Sequence, residues 1–217
     1  MQWLTKRIKT RRFTSEVVKQ QHLVFLPSDS QWPLGNHLLR EILLADGRSI
    51  IDIANLGQRE EQRLFMKSVT NTPSWLLIRA DSALFAAIAA MHVHPMIAAI
   101  AENCDKEQAN RVIRGLHPQR VVLCADGAMF ETQARLIQKG TTMITVGQGR
   151  AKYQIKALQP SASSIMFSLI SPLGRQEVTI PSVDEQSVCE IAMAVAIANE
   201  LGCTQNALMY ALQHAWK

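Results

Sequence analysis

The turn Pro27-Ser28-Asp29-Ser30-Gln31-Trp32-Pro33 stands between an apolar run ending at Leu26 and a segment of helical spacing that starts at Leu34. A strand, turn and helix in that order is where backbone amides at a helix N-terminus cradle phosphate. Here the turn carries no lysine, and Trp32-Pro33 sets a bulky ring and a residue without an N–H where a phosphate needs room and donors. Asp126 and Asp81 each follow an apolar run, at the strand ends where open α/β sheets place ligand contacts. Both are also positioned to cap a following helix. Asp52 lies in an apolar run, where a carboxylate needs a partner, and it reads as a polar strand end. His92 and His94 flank Val93, which puts both rings on one face of a strand; with no other ligand-type residue close by, they read as a solvent-facing strand end. Gly147-Gln148-Gly149 precedes a strand, so no helix dipole faces a phosphate there, and it reads as a turn. Cys104, Cys124, Cys189 and Cys203 lack metal-ligand spacing and lie in apolar segments. They predict reduced core thiols, with no metal site and no disulfide framework.

The charge is equally localised. Of the net +5, the whole excess sits in Lys6, Arg7, Lys9, Arg11 and Arg12, and the rest of the chain balances. With Trp3, Leu4, Ile8 and Phe13 interleaved, residues 1–20 form a basic arm suited to an acidic protein or an anionic membrane surface. The neutral body makes no case for nucleic acid. No apolar stretch is long enough for a secretory signal or a membrane span, so the chain is expected in the cytoplasm. Hydrophobic residues make up 47% and charged residues 19%, which excludes general disorder.

The elements that must position these residues alternate. Strands are expected at 22–26, 49–53, 75–78, 96–100, 121–124 and 143–146, apolar on both faces as buried parallel strands are. Helices are expected near 34–44, 59–68, 82–91, 105–116 and 128–139, the last closed by Gly140. The period then changes to two, giving strands at 152–158, 164–171 and 177–180 with a turn at Pro172-Leu-Gly174. An Ala-rich helix over 187–201 ends at Gly202, and Thr204 caps a last helix to about 214. The reading is an α/β fold, a mostly parallel sheet flanked by helices. Past the arm it forms one domain, 21–217: parallel sheet over 21–148, antiparallel meander over 150–181, C-terminal helices over 185–216.

From Val121 onward, the order of these pieces resembles the central domain of Mur ligases, the ATP-dependent enzymes that add amino acids or dipeptides to a peptidoglycan precursor. Val121-Val-Leu-Cys-Ala-Asp126, a helix, and Met143-Ile-Thr-Val-Gly147 look like the family's V-L-N-x-D-D segment, helix and final strand. Ser171-Pro-Leu-Gly174 with Glu177-Val-Thr-Ile-Pro181 looks like its T-P-x-G and V-x-L-P hairpin, and Ile191–Gly202 like its Ala-rich helix. The dipeptide-adding type, UDP-N-acetylmuramoyl-tripeptide:D-alanyl-D-alanine ligase, is the nearest in pattern.

The resemblance implies what this sequence departs from. The family's G-x-x-G-x-x-G-K-[ST] loop corresponds to the turn at 27–33, its carbamylated lysine to Asn110, and its nucleotide-base contact to Asp126. An amide cannot form a carbamate. The sequence ends at Lys217, so the family's C-terminal domain is not expected in it. The expectation is a non-catalytic, Mur-ligase-like module without cofactor, with no catalytic residue of its own, binding another protein or a second copy of itself. Two alternatives stand beside it. One is an ATP- and magnesium-dependent amide ligase with an atypical nucleotide site or a completing subunit; the other is an unrelated small-ligand-binding α/β protein.

Overall fold

A computed structural model of the chain describes residues 22–53, 75–79, 94–181 and 184–216. The expected helices near 59–68 and 82–91, the arm over 1–20 with Trp3, Lys6, Arg7, Lys9, Arg11 and Arg12, and the residues Asp81 and His92 lie outside these segments.

Among the described residues, nine strands form one sheet: β1 (His22–Leu26), β2 (Ile50–Ile53), β3 (Trp75–Arg79), β4 (Ile97–Ile100), β5 (Arg120–Cys124), β6 (Thr142–Gly147), β7 (Tyr153–Pro160), β8 (Ile165–Ser171) and β9 (Gly174–Ile180). Their spatial order is β2-β3-β1-β4-β5-β6-β7-β8-β9. The first six strands are parallel to their neighbours, while β8 runs antiparallel to both β7 and β9. The meander extends the sheet instead of standing apart from it. β7 pairs in parallel with β6 at only two positions, Val146 with Tyr153 and Gly147 with Gln154, and beyond them it pairs with β8. A bulge between Lys156 and Gln159 bends β7, and Ala157 there takes the left-handed conformation at φ 52°.

Alternation along the strands divides the core in two. Val24 and Leu26 face the helices α1 (Pro33–Ala45), α4 (Glu185–Glu200) and α5 (Gln205–His214). Leu23 and Phe25 face α2 (Lys106–Leu116) and the segment around α3 (Phe130–Ala134). Period two on a strand forces this split, and residues apolar on both faces make each strand a shared wall. From Val188 to Ala198 every residue of α4 is buried, which suits a helix wedged between sheet and α1.

One expected element is shorter than its spacing predicts. In place of a helix over 128–139, α3 spans five residues, and Leu136 and Ile137 donate their amides three residues back to Gln133 and Ala134. The tighter turns bring Phe130, Ala134, Leu136 and Ile137 together against the α2 layer. Gly140 does take positive φ, but in the turn before β6 and not at a helix end.

Candidate functional site

The chain runs outward from β1 to β2 and β3 on one side, then crosses to β4 on the other. The crevice beyond the carboxyl ends of β1 and β4 is therefore the switch point at which open α/β sheets bind ligands. Into it project the turn after β1, the loop after β4, Asp126 after β5 and the turn after β6.

The first turn is folded on itself. The Ser28 carbonyl accepts from the amides of Gln31 and Trp32, each at 3.0 Å, and the Ser28 hydroxyl lies 3.0 Å from that of Ser30 and donates to Gln31. Trp32 is the N-cap of α1, and its ring is 1% exposed. Gly35 makes that possible: a Cβ at Gly35 would lie 2.5 Å from the indole. Pro33 opens the helix and contributes no donor. The next two amides, Leu34 and Gly35, donate to the Glu190 carboxylate of α4 at 3.2 and 3.3 Å. The amide of Asn36 donates to the Trp32 carbonyl. Every amide from Gln31 to Asn36 thus has an acceptor within the chain, and the anion at the helix N-terminus is the protein's own. Burial raises the Glu190 carboxyl above the ordinary carboxylate range, opposed by those two backbone hydrogen bonds.

Beside the turn lies an ion cluster. Arg79, buried at the end of β3, donates through Nε to Asp29 at 3.0 Å and through Nη2 to Asp52 at 2.9 Å. Asp29 also accepts from Asn36 Nδ2 at 2.7 Å. Burial pushes the Asp52 carboxyl up, against the pull of the Arg79 guanidinium. The partner that a carboxylate in an apolar strand requires is therefore Arg79, which the sequence reading did not single out.

Asp126 accepts from the amides of Gln148 and Gly149, the latter at 3.4 Å, so it closes the turn after β6 and caps no helix. Its carboxylate lies over Gly147, where a Cβ would meet it at 2.7 Å. The N-cap of α3 is Met129. Asp126 also lines a cavity of about 430 Å³ with Glu102, Asn103, Cys124, Gln148, Ile155 and Cys189 among others. Asn110 is elsewhere, in a cleft between α2 and α3 with Lys106, Arg114 and Arg135. The α2 residue that reaches the β1 turn is Gln108, which accepts from Gln31 at 3.4 Å. His94 bonds the Leu116 carbonyl through Nδ1 and packs edge-on to His117.

Three residues with metal-ligating atoms meet in the cavity wall. Glu102, Cys124 and Cys189 bring a carboxylate oxygen and two sulfurs within 4.8 Å of one another. The bond from Cys189 holds the Cys124 thiol below its ordinary value, and its counterpart holds that of Cys189 well above. Sequence could not pair them, because they come from a strand end, a loop and a helix far apart in the chain. The available signal was modest: Cys124 ends a predicted strand and Cys189 lies in the first turns of a predicted helix.

No family model and no curated protein matches the chain. Solved structures do. MurF from Acinetobacter baumannii superposes with a TM-score of 0.74 at 16% identity, covering 94% of this chain and 48% of that one. MurF from Thermotoga maritima in complex with ADP gives 0.61 at 12% identity, covering 92% and 51%. The apo form of FPGS from L. casei gives 0.61 at 12% identity, covering 98% and 67%. The chain spans about half the length of the MurF structures it matches. At these identities the likeness establishes the fold.

Proposed function

We propose, from this Mur-ligase fold, that the chain is a non-catalytic binding module associated with peptidoglycan-precursor metabolism in the cytoplasm. Its expected partner is another protein of that metabolism or a second copy of itself, with the basic arm available to an acidic surface. One observation carries the reading: the amides at the α1 N-terminus are satisfied by Glu190 and the turn is filled by Trp32. An ATP-driven ligase forms an acyl phosphate, which requires the polyphosphate to be seated and neutralised by cations. At this turn, incoming phosphate meets a carboxylate, a buried ring and no lysine. The same features support reading residues 27–33 as a degenerate phosphate loop, whereas Asn110, in the cleft between α2 and α3, lends that reading nothing.

Calorimetric titration with millimolar ATP and magnesium tests the proposal. No saturable heat and no thermal shift are expected; saturable binding or ADP release sinks it. The cavity beside Asp126 favours one second reading, an atypical nucleotide site in a ligase completed by another subunit. In that case ATP binds and Asp126→Ala abolishes the binding.

A further inference from the structure

We infer that Glu102, Cys124 and Cys189 form a binding site for a thiophilic divalent cation, zinc in type, with its fourth position open to the crevice cavity. The donor set decides the class of ion. Two sulfurs and one carboxylate match a borderline-soft cation, whereas magnesium and calcium take oxygen ligands. In a tetrahedral zinc site with bonds of about 2.3 Å to sulfur, ligand atoms sit roughly 3.7 Å apart. Cys124 Sγ and Glu102 Oε2 are already 3.8 Å apart, and the whole set spans no more than 4.8 Å. Rotation about side-chain torsions covers the remaining distance.

The surroundings position the ligands. Cys124 ends β5 with 3% exposure, and Cys189 stands in the second turn of buried α4. Both sulfurs are therefore carried on regular elements. Glu102 comes from a loop fixed by Gln133, whose Nε2 donates to the carbonyls of Ala101 and Cys104 at 3.2 and 3.1 Å. Its stem crosses Gly127, where a Cβ would lie 2.7 Å from Glu102 Cγ. A side chain at that position would force the Glu102 stem to shift, and the carboxylate with it. The cavity of about 430 Å³ on the open side admits water or a small ligand as the fourth donor. The β1 turn contributes no atom to this site, so the state of that turn does not bear on it, and the titration below is run without nucleotide because the second reading above uses the same cavity.

The test uses the full chain, reduced and stripped of metal, with zinc in competition against a chromophoric chelator and with cobalt as the spectroscopic probe. One equivalent of zinc is expected to bind, and cobalt to give thiolate-to-metal charge-transfer bands. Cys124→Ser and Cys189→Ser should each lose those bands and about 100-fold or more in zinc affinity. Glu102→Gln, which replaces the anionic oxygen ligand by a neutral amide, should weaken zinc measurably while the thiolate bands remain. Cys104→Ser and Cys203→Ser should change nothing. Gly127→Ala, which alters no ligand, should weaken zinc without removing the bands. Circular dichroism of each metal-free variant checks folding, and partly exposed Glu102 gives a variant that leaves the core intact. Sub-stoichiometric binding, or bands that persist in the Cys124→Ser, Cys189→Ser double variant, overturns the site. So does loss of two hydrogens in the intact mass of the chain before reduction, mapped to Cys124 and Cys189 by peptide digestion, which would mean that the pair is a disulfide.

Discussion

Glu190 and Gly35 together set the character of the β1 turn, and each makes a separate prediction. Because burial raises the Glu190 carboxyl, the folded chain holds that proton more tightly than the unfolded chain does. Its contribution to stability is therefore full below the carboxyl's unfolded titration and lost as pH rises through the raised folded value. Glu190→Gln has no such titration, so its stability relative to the parent should increase as pH climbs out of the acid range. Urea unfolding of both proteins across that window checks the sign, and an opposite slope refutes it. For Gly35→Ala, the new methyl must displace an indole 2.5 Å away. Overpacking of this kind costs about 1–3 kcal/mol, more than the gain of up to about 1 kcal/mol in helix propensity, so a net loss in the same assay is expected. Cys104 and Cys203 are pushed up to about 12 and about 11, chiefly by burial, and neither should take up an alkylating reagent at pH 8 while the chain is folded. At this scale the sequence was legible where a residue's role is local. The lysine-free turn with its tryptophan could be read directly. Glu190, Arg79 and the Cys124–Cys189 pair could not, because each depends on a partner brought in by the fold from dozens of residues away.

Elements are joined here by a few polar contacts that act as clasps. Asp46 ends α1, and its Oδ1 accepts from both the amide and the hydroxyl of Thr204, the N-cap of α5, at 2.8 Å each. Thr204 in turn accepts from Ala207. Partial desolvation works against the Asp46 carboxylate, but the Thr204 and Arg48 bonds outweigh it and hold the carboxyl below its ordinary value. The sign is opposite to that of Glu190: this clasp is present above the carboxyl's unfolded titration and lost as pH falls through the lowered folded value. Thr204→Ala should cost about 1 kcal/mol at neutral pH, and the deficit should shrink as acid removes the Asp46 carboxylate, which thermal melts at several pH values can follow. The bulge in β7 is a strained counterpart. A left-handed conformation costs a residue with a Cβ roughly 1–2 kcal/mol, partly offset by the flexibility glycine adds to the unfolded chain. Ala157→Gly should therefore stabilise the chain by up to about 1 kcal/mol, and an unchanged or lower denaturation midpoint would count against that strain. Strand positions were legible because period two and buried apolar runs leave little choice. The helix over 128–139 was misread because its apolar spacing fits a helix equally well. What shortens it is the need to seat Leu136 and Ile137 together against α2.

At the scale of the whole molecule, the sequence conveyed a parallel sheet followed by antiparallel strands, but not that all nine strands share one sheet. Pairing between β6 and β7 is a tertiary fact that no local pattern records. It rests on two paired positions, a narrow join between a six-stranded and a three-stranded part. The buried helix α4 lies across that join, touching β4, β5 and β6 on one side and β7 and β8 on the other. The arrangement is a seam held by a splint. Peeling the three outer strands from the rest therefore means lifting α4, and with it the apolar layer along its length. Slow amides in β8 should exchange with deuterium at the same opening free energy as those in β5, with no separate, cheaper opening of the outer strands.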